Sequence, residues 1–228
     1  MKNKMKRVAC VGEAMIELSM MDGNAQMNVA GDTLNTAIYL QWTAPQVTVD
    51  YITCLRNDTF SDSIFAFIAD HGVGNSKIKR IVDGTPWLYA ITTSPEGERS
   101  FTYWRSNLAA RFLFSNGDFT MLETYDAVYL SGISLAILPH IVRLSLLEWL
   151  NKHLICLIFD SNYRLHLWES LESVQQMTSA FWAKADILLP SIDDEMKLFD
   201  ETEDQVAFRF SCMAKSGALK RGMLGPLS

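Results

Sequence analysis

Nothing in these 228 residues could span a bilayer, since no stretch approaches the run of about 18 apolar residues that a membrane helix needs. A basic surface is missing too: the formal net charge is −6, which recommends neither nucleic acid nor an anionic membrane as a partner. Cysteine is sparse. Cys10, Cys54, Cys156 and Cys212 are far apart with no CxxC pair, and they read as buried free thiols of a reducing compartment. His71, His140, His153 and His166 show no metal-ligand spacing. Internal repeats, low-complexity tracts and linkers are also lacking. The opening MKNKMKR is basic, but the apolar run after it breaks at Gly12-Glu13, too soon for a signal peptide. These absences describe a soluble cytoplasmic protein.

What is present is 49% hydrophobic sequence, enough for one full-sized α/β domain. Short apolar strands are predicted over residues 7–12, 47–53, 78–82, 125–130, 154–159 and 185–189. Helices are predicted over 30–42, 62–71, 139–151, 170–182 and 190–199. Strand and helix alternate, apart from two β insertions near the front, as in a mainly parallel sheet wrapped by helices with a small β lid. Asp32 or Thr33 is expected to cap the first helix.

The lid signal centres on residues 87–105, WLYAITTSPEGERSFTYWR, two β-rich arms around a turn-forming SPEGE. Alternation puts Arg99, Phe101, Tyr103 and Arg105 on one face of the second arm. Two readings fit that face. It is an edge ribbon whose arginines reach solvent, or it is a lid from which Tyr103 and Arg105 hold something small and anionic. A second pointer is Gly31, which lets backbone approach a ligand closely at a helix start. Asn35 lies one turn further on. In parallel sheets ligands lie beyond the carboxyl ends of the strands. Gly12-Glu13, Gly31–Asn35, Ser131-Gly132, Asn162–Arg164 and Asp193–Glu195 all fall at such ends, which together indicate a small-molecule site. For the acidic cluster, helix capping is an equal alternative.

These same residues resemble the ribokinase family of sugar kinases, in particular its 2-keto-3-deoxygluconate kinase branch. The similar stretches are VGEAMIELS (11–19), AGDTLNTAIYL (30–40), GERSFTYWR (97–105), YLSGISLAIL (129–138), IFDSNYRLHLW (158–168) and LLPSIDDE (188–195). The resemblance implies a ribokinase-like three-layer sandwich as one domain over residues 1–228, with lid strands at about 13–30 and 86–105. It implies transfer of the ATP γ-phosphoryl group, with magnesium, to the 6-hydroxyl of 2-keto-3-deoxygluconate. Gly31, Asn35, Tyr89, Tyr103, Arg105 and Arg164 would hold the sugar acid, with Arg105 facing its carboxylate. Asn162, Arg164, Ser191 and Asp194 would serve nucleotide and phosphate; Ser191 and Asp194 stand where the family often has Asn-x-x-Glu, associated with magnesium and phosphate, and keep oxygen ligands of shorter reach. It also implies homo-oligomerisation through the β lid.

Departures from the family pattern carry their own expectations. Ala30 replaces a glycine, and Arg56 stands in a turn expected to require positive φ. No GxGD or GAGD motif occurs, so the aspartate that takes the hydroxyl proton is not assigned to any residue here. Family members continue for roughly 80 more residues, and residues 206–219 match poorly, so the C-terminal part of the fold is expected to be missing. The chain is therefore expected to be an inactive copy of an enzyme, or alternatively a non-catalytic sugar-binding fragment. A fructose or nucleoside kinase fits less well, because those substrates offer Arg105 no carboxylate.

Overall fold

The computed structural model describes residues 5–21, 24–85, 87–93, 98–104, 108–213 and 215–227. Arg105 and most of the SPEGE turn lie outside them, as do the side chains of Arg99, Phe101 and Tyr103. The chain divides into two compact units, one of residues 9–115 and one of residues 1–8 with 116–228. Strand β1 (Arg7–Val11) contributes to both.

In the first unit, β2 (Met15–Met21) pairs antiparallel with β3 (Asn24–Ala30), and helix α1 (Asp32–Thr43) follows directly. Next come β4 (Thr48–Ile52), β5 (Cys54–Arg56), α2 (Thr59–Asp70) and β6 (Lys79–Ile81). The hairpin arms are β7 (Trp87–Thr93) and β8 (Arg99–Trp104), antiparallel to each other. β7 also runs parallel to β2, completing a four-stranded sheet of order β3-β2-β7-β8. Its register sets Glu17, Tyr89 and Tyr103 in one cross-strand row. Helix α2 starts where Asp58 accepts from the Ser61 amide at 2.8 Å, an ordinary side-chain cap.

In the second unit, β9 (Ala127–Ser131) leads at once into α3 (Gly132–Ile137), then α4 (His140–Lys152) and β10 (Cys156–Asp160). Helix α5 (Leu171–Lys184), the two-residue strand β11 (Ile187–Leu188), α6 (Ile192–Phe199) and α7 (Glu203–Met213) complete it. β9, β10 and β11 are parallel, with Leu157 opposite Val128 and Ile158 opposite Ile187. All five residues of β9 are buried, as a strand covered on both faces requires. Phe159, Phe181, Trp182 and Phe210 form an aromatic core with centroids 4.6–5.6 Å apart. Each such ring contributes about 1.5–3 kcal/mol of burial and ties α5 and α7 to β10.

Several local expectations need correction. Arg56 lies in β5, opposite Ile81, and is not among the residues with positive φ. Pairing with β6 keeps its backbone extended. Neither Asp32 nor Thr33 caps α1: Gly31 is the N-cap residue, and the Thr33 hydroxyl meets Tyr51 Oη at 2.9 Å instead. Cys10 and Cys54 are buried, but Cys156 is half-buried and Cys212 is exposed. Leu154 precedes β10 and is fully exposed. Residues 203–213 form α7, which buries Val206 and Phe210 one turn apart. Among the described residues, no helix is long and apolar enough to cross a membrane.

Candidate functional site

Within the first unit, the candidate residues gather at the start of α1 and on the four-stranded sheet. Gly31 is buried and has φ 154°, and a methyl added there would stand 2.6 Å from the carbonyl oxygen of Glu13. Backbone therefore packs on backbone at this junction. Gly12 closes it from the other side, where a methyl would meet Thr33 Oγ1 at 2.2 Å. Thr33 and Tyr51 are fully buried, and burial drives the Tyr51 phenol well above its ordinary value, so both stay neutral donors and acceptors. The Asn35 amide N–H donates to Gly31 O at 2.8 Å, while its side chain is exposed.

Tyr89 is buried on β7, and its hydroxyl donates to Glu17 Oε2. The other oxygen of Glu17 accepts from Ser19 Oγ at 3.1 Å. Sequence reasoning placed Tyr89 without foreseeing this carboxylate partner; the cross-strand register supplies it. Tyr103 sits opposite Tyr89 in backbone register.

In the second unit, β10 ends at Asp160, and residues 161–164 form the loop that carries the other candidates. Asn162 adopts φ 31°, a left-handed conformation that asparagine tolerates better than most side chains. Its amide donates to Asp160 Oδ1 at 3.2 Å, and Asp160 Oδ2 is paired with Lys220. The Tyr163 amide donates to Asp194 Oδ2 at 3.3 Å, and Arg164 Nη1 lies 3.4 Å from Asp194 Oδ1. Gly132, the first residue of α3, presses on the loop: a methyl there would stand 1.8 Å from Ser161 O. Asn162, Arg164 and Asp194 are thus brought together. Ser191 is the N-cap residue of α6 but makes no side-chain cap.

The residue that sequence reasoning left as a possible cap, Glu195, has no exposed surface at all. Its Oε2 accepts from Arg209 Nη2 at 2.9 Å, and Arg209 also grips Glu201 at 2.6 Å. The Ser161 hydroxyl and the Trp182 indole N–H also lower the carboxyl from nearby, without reaching ordinary hydrogen-bond geometry. Burial raises the Glu195 carboxyl above its usual value, and these donors only partly offset that. Its partner lies 14 residues along the chain, so no local pattern could have revealed it.

The loop continues to Glu169, which receives two parallel hydrogen bonds from Arg143, at 2.9 and 2.6 Å. Arg143 is buried, stacks on Trp168 at 4.5 Å and also donates to Leu138 O. This guanidinium holds the Glu169 carboxyl down to about 2.

What the arrangement can do follows from these contacts. Arg164, with its side chain 45% exposed, presents a cation suited to a phosphate or carboxylate oxygen. Asp194 offers a half-shielded carboxylate beside it, fitting an outer contact to a hydrated magnesium ion rather than a protein cage. Among the described residues, no group of three or more His, Cys, Asp or Glu is placed to hold a metal.

Comparison with known proteins agrees with this architecture. Residues 5–215 match the model of the pfkB family carbohydrate kinases. The chain is 40% identical over 208 residues to a 2-dehydro-3-deoxygluconokinase of Dickeya dadantii, covering 86% of this chain and 66% of that protein. The chain thus spans about two thirds of that relative's length. It is 37% identical over 231 residues to the protein of the same name from Escherichia coli K12, covering 95% of this chain and 74% of that one. The crystal structure of a PfkB protein from Polaromonas superposes with a TM-score of 0.81 at 20% identity, over 98% of this chain and 81% of that one. A 2-dehydro-3-deoxygluconokinase from Thermotoga maritima gives 0.78 at 20% identity, over 94% and 72%. The expected fold, a mainly parallel ribokinase-like sheet wrapped by helices with small extra sheets, is the fold found. With 37% identity across 74% of a curated relative and a family match from residue 5 to residue 215, this chain belongs to the pfkB family of carbohydrate kinases.

Proposed function

We propose that this chain carries the sugar-acid recognition elements of an ATP-dependent 2-keto-3-deoxygluconate kinase (the compound is also called 2-dehydro-3-deoxygluconate). The observation that carries the reading is the 36–40% identity to proteins named 2-dehydro-3-deoxygluconokinase. Fructokinases and a riboside kinase share only 24–25%. In this reading Gly31 and Asn35 meet the sugar, Tyr89 and Tyr103 flank it, and Arg105 pairs with its carboxylate. Arg164 and Asn162 serve the nucleotide phosphates. Asp194, with Ser191, faces magnesium through water. ATP, when bound, supplies the phosphoryl group for the 6-hydroxyl.

The 228-residue polypeptide has neither a GxGD motif nor any other glycine-rich helix start bearing an aspartate base. Phosphoryl transfer depends on positioning and charge stabilisation, so we assign this polypeptide by itself binding without turnover. The reading treats it as one domain, cytoplasmic, self-associating through the four-stranded sheet.

Calorimetric titration of the full 228-residue chain with 2-keto-3-deoxygluconate tests the assignment. Arg105→Ala should weaken binding by about 1.5–3 kcal/mol, the range for a charge-assisted pair. Unchanged affinity, or equal binding of fructose, would overturn the sugar-acid reading. With magnesium-ATP added, ADP release should stay at background. Turnover that Arg164→Ala abolishes would overturn the non-catalytic half.

A further inference from the structure

Arg209 has no part in the proposed site, yet it stands at the root of the loop that carries two of its residues. Its guanidinium lies over the rings of Phe199 and Phe210, at 4.7 and 4.6 Å, and reaches Glu195 at 2.9 Å. Glu195 belongs to the first turn of α6, immediately after Asp194. That turn meets the 161–164 loop at two places. Asp194 takes the Tyr163 amide and Arg164, and the Glu195 carboxylate faces Ser161. Gly132 leaves no room beside the Ser161 carbonyl, where a methyl would stand 1.8 Å from its oxygen. Between these contacts Asn162 has a positive φ of 31°.

We infer that Arg209 and Glu195 are positioning residues, which together fix the first turn of α6 and through it the loop presenting Asn162 and Arg164. A fully buried carboxylate does not remain charged in place once its cation is gone. Without the guanidinium nothing anchors the Glu195 side chain against α7, and the turn that Asp194 shares loses its hold. Arg209 also binds Glu201 at 2.6 Å, which ties the same guanidinium to the α6–α7 connection. The inference deepens the proposed function, and rests on it for the roles of Asn162 and Arg164.

The test is amide hydrogen exchange, read by mass spectrometry on the full chain without ligand. Arg209→Met should speed exchange in peptides covering residues 161–164 by at least about tenfold, while β9 and α5 keep their protection. Glu201→Gln, which leaves the Arg209–Glu195 pair intact, should change the loop by less than about twofold. Arg209→Lys should restore part of the protection, because an ammonium reaches one carboxylate but lacks the fork that spans two. If Arg209→Met does not fold, the double variant Glu195→Gln/Arg209→Met removes the unpaired charge and should still open the loop, to a smaller extent, because the turn has lost its anchor to Arg209.

Unchanged loop exchange with opening confined to residues 195–213 would reduce Arg209 to a clamp on α7 and overturn the inference. Uniform opening of every peptide would overturn it as well. Because the readout uses no ligand, failure of the wild-type chain to bind 2-keto-3-deoxygluconate would defeat the functional reading and leave this result standing.

Discussion

Two strand-to-helix junctions, one in each unit, solve the same problem by different means. At β3–α1, Gly31 packs a bare backbone against Glu13 O; at β9–α3, Gly132 does so against Ser161 O. Around Gly31 the supporting contacts include backbone and the buried Thr33–Tyr51 hydroxyl pair, with the Glu13 side chain buried close by. Around Gly132 they are ionic, with Asp160–Lys220, Arg164–Asp194 and Arg209–Glu195–Glu201 converging on one loop. The hydroxyl pair of the first junction carries no charge, since burial holds the Tyr51 phenol well above its ordinary value. The ionic junction gives a stretch of chain with little apolar contact a definite shape, and makes that shape depend on pH and salt.

The comparison breaks first if the glycines are exchangeable with alanine. Gly132→Ala should have the largest effect, about 3 kcal/mol or more, because a 1.8 Å approach to a backbone carbonyl cannot be relieved by a rotamer change. The melting temperature should fall by about 10 °C. Gly31→Ala should cost somewhat less, about 2–3 kcal/mol, since its methyl would meet Glu13 O at 2.6 Å and its φ of 154° lies at the rim of the disfavoured region. A thermal melt of either variant within about 2 °C of wild type would remove the close-packing argument.

The pH dependence sharpens the other half. The Glu169 carboxyl is held at about 2, below its ordinary 4.5, so its pairing with Arg143 adds stability that is complete above about pH 4.5. That contribution is lost as pH falls through about 2. The Glu169 side chain is 55% exposed, which limits the effect to about 1 kcal/mol, or 2–4 °C. Melts of wild type and Glu169→Gln should therefore differ at pH 6 and converge towards pH 2; a constant gap would contradict the pairing. Asp194→Asn should be the smallest change, about 0.5 kcal/mol, because the Arg164 contact is long and half-exposed. It should fade in 1 M salt, and an effect indifferent to salt would show that the Tyr163 hydrogen bond matters more than the charge.

How far these regions were readable beforehand depends on the range of the forces that shape them. β1, β9, α4 and α5 show in the sequence because apolar runs, Pro139 and Ser170 act within a few residues. α3 escaped because its capping box closes with Ser134 where the usual signal is Glu or Gln. The Arg56 turn was misjudged because pairing with Ile81, far along the chain, decides its backbone. The loop residues Asn162 and Arg164 were legible as a motif, whereas what holds them was not: Lys220, Asp194 and Arg209 come from 30 to 60 positions away or act through one another. Glu17 beneath Tyr89 belongs to the same class, visible only once β2 and β7 are set side by side.

The uneven burial of the four thiols makes the molecule its own reporter. Burial pushes Cys10 up to about 12 and Cys54 to about 11, and it raises half-buried Cys156 as well. At neutral pH these three hold almost no thiolate, the form that attacks an electrophile. Cys212 is exposed near the end of α7, three residues beyond Arg209 and on the adjoining part of the helix surface. A maleimide dye should therefore attach at this one position without mutagenesis. Its emission would then follow α7 in real time as the chain is heated, salted or offered a sugar acid.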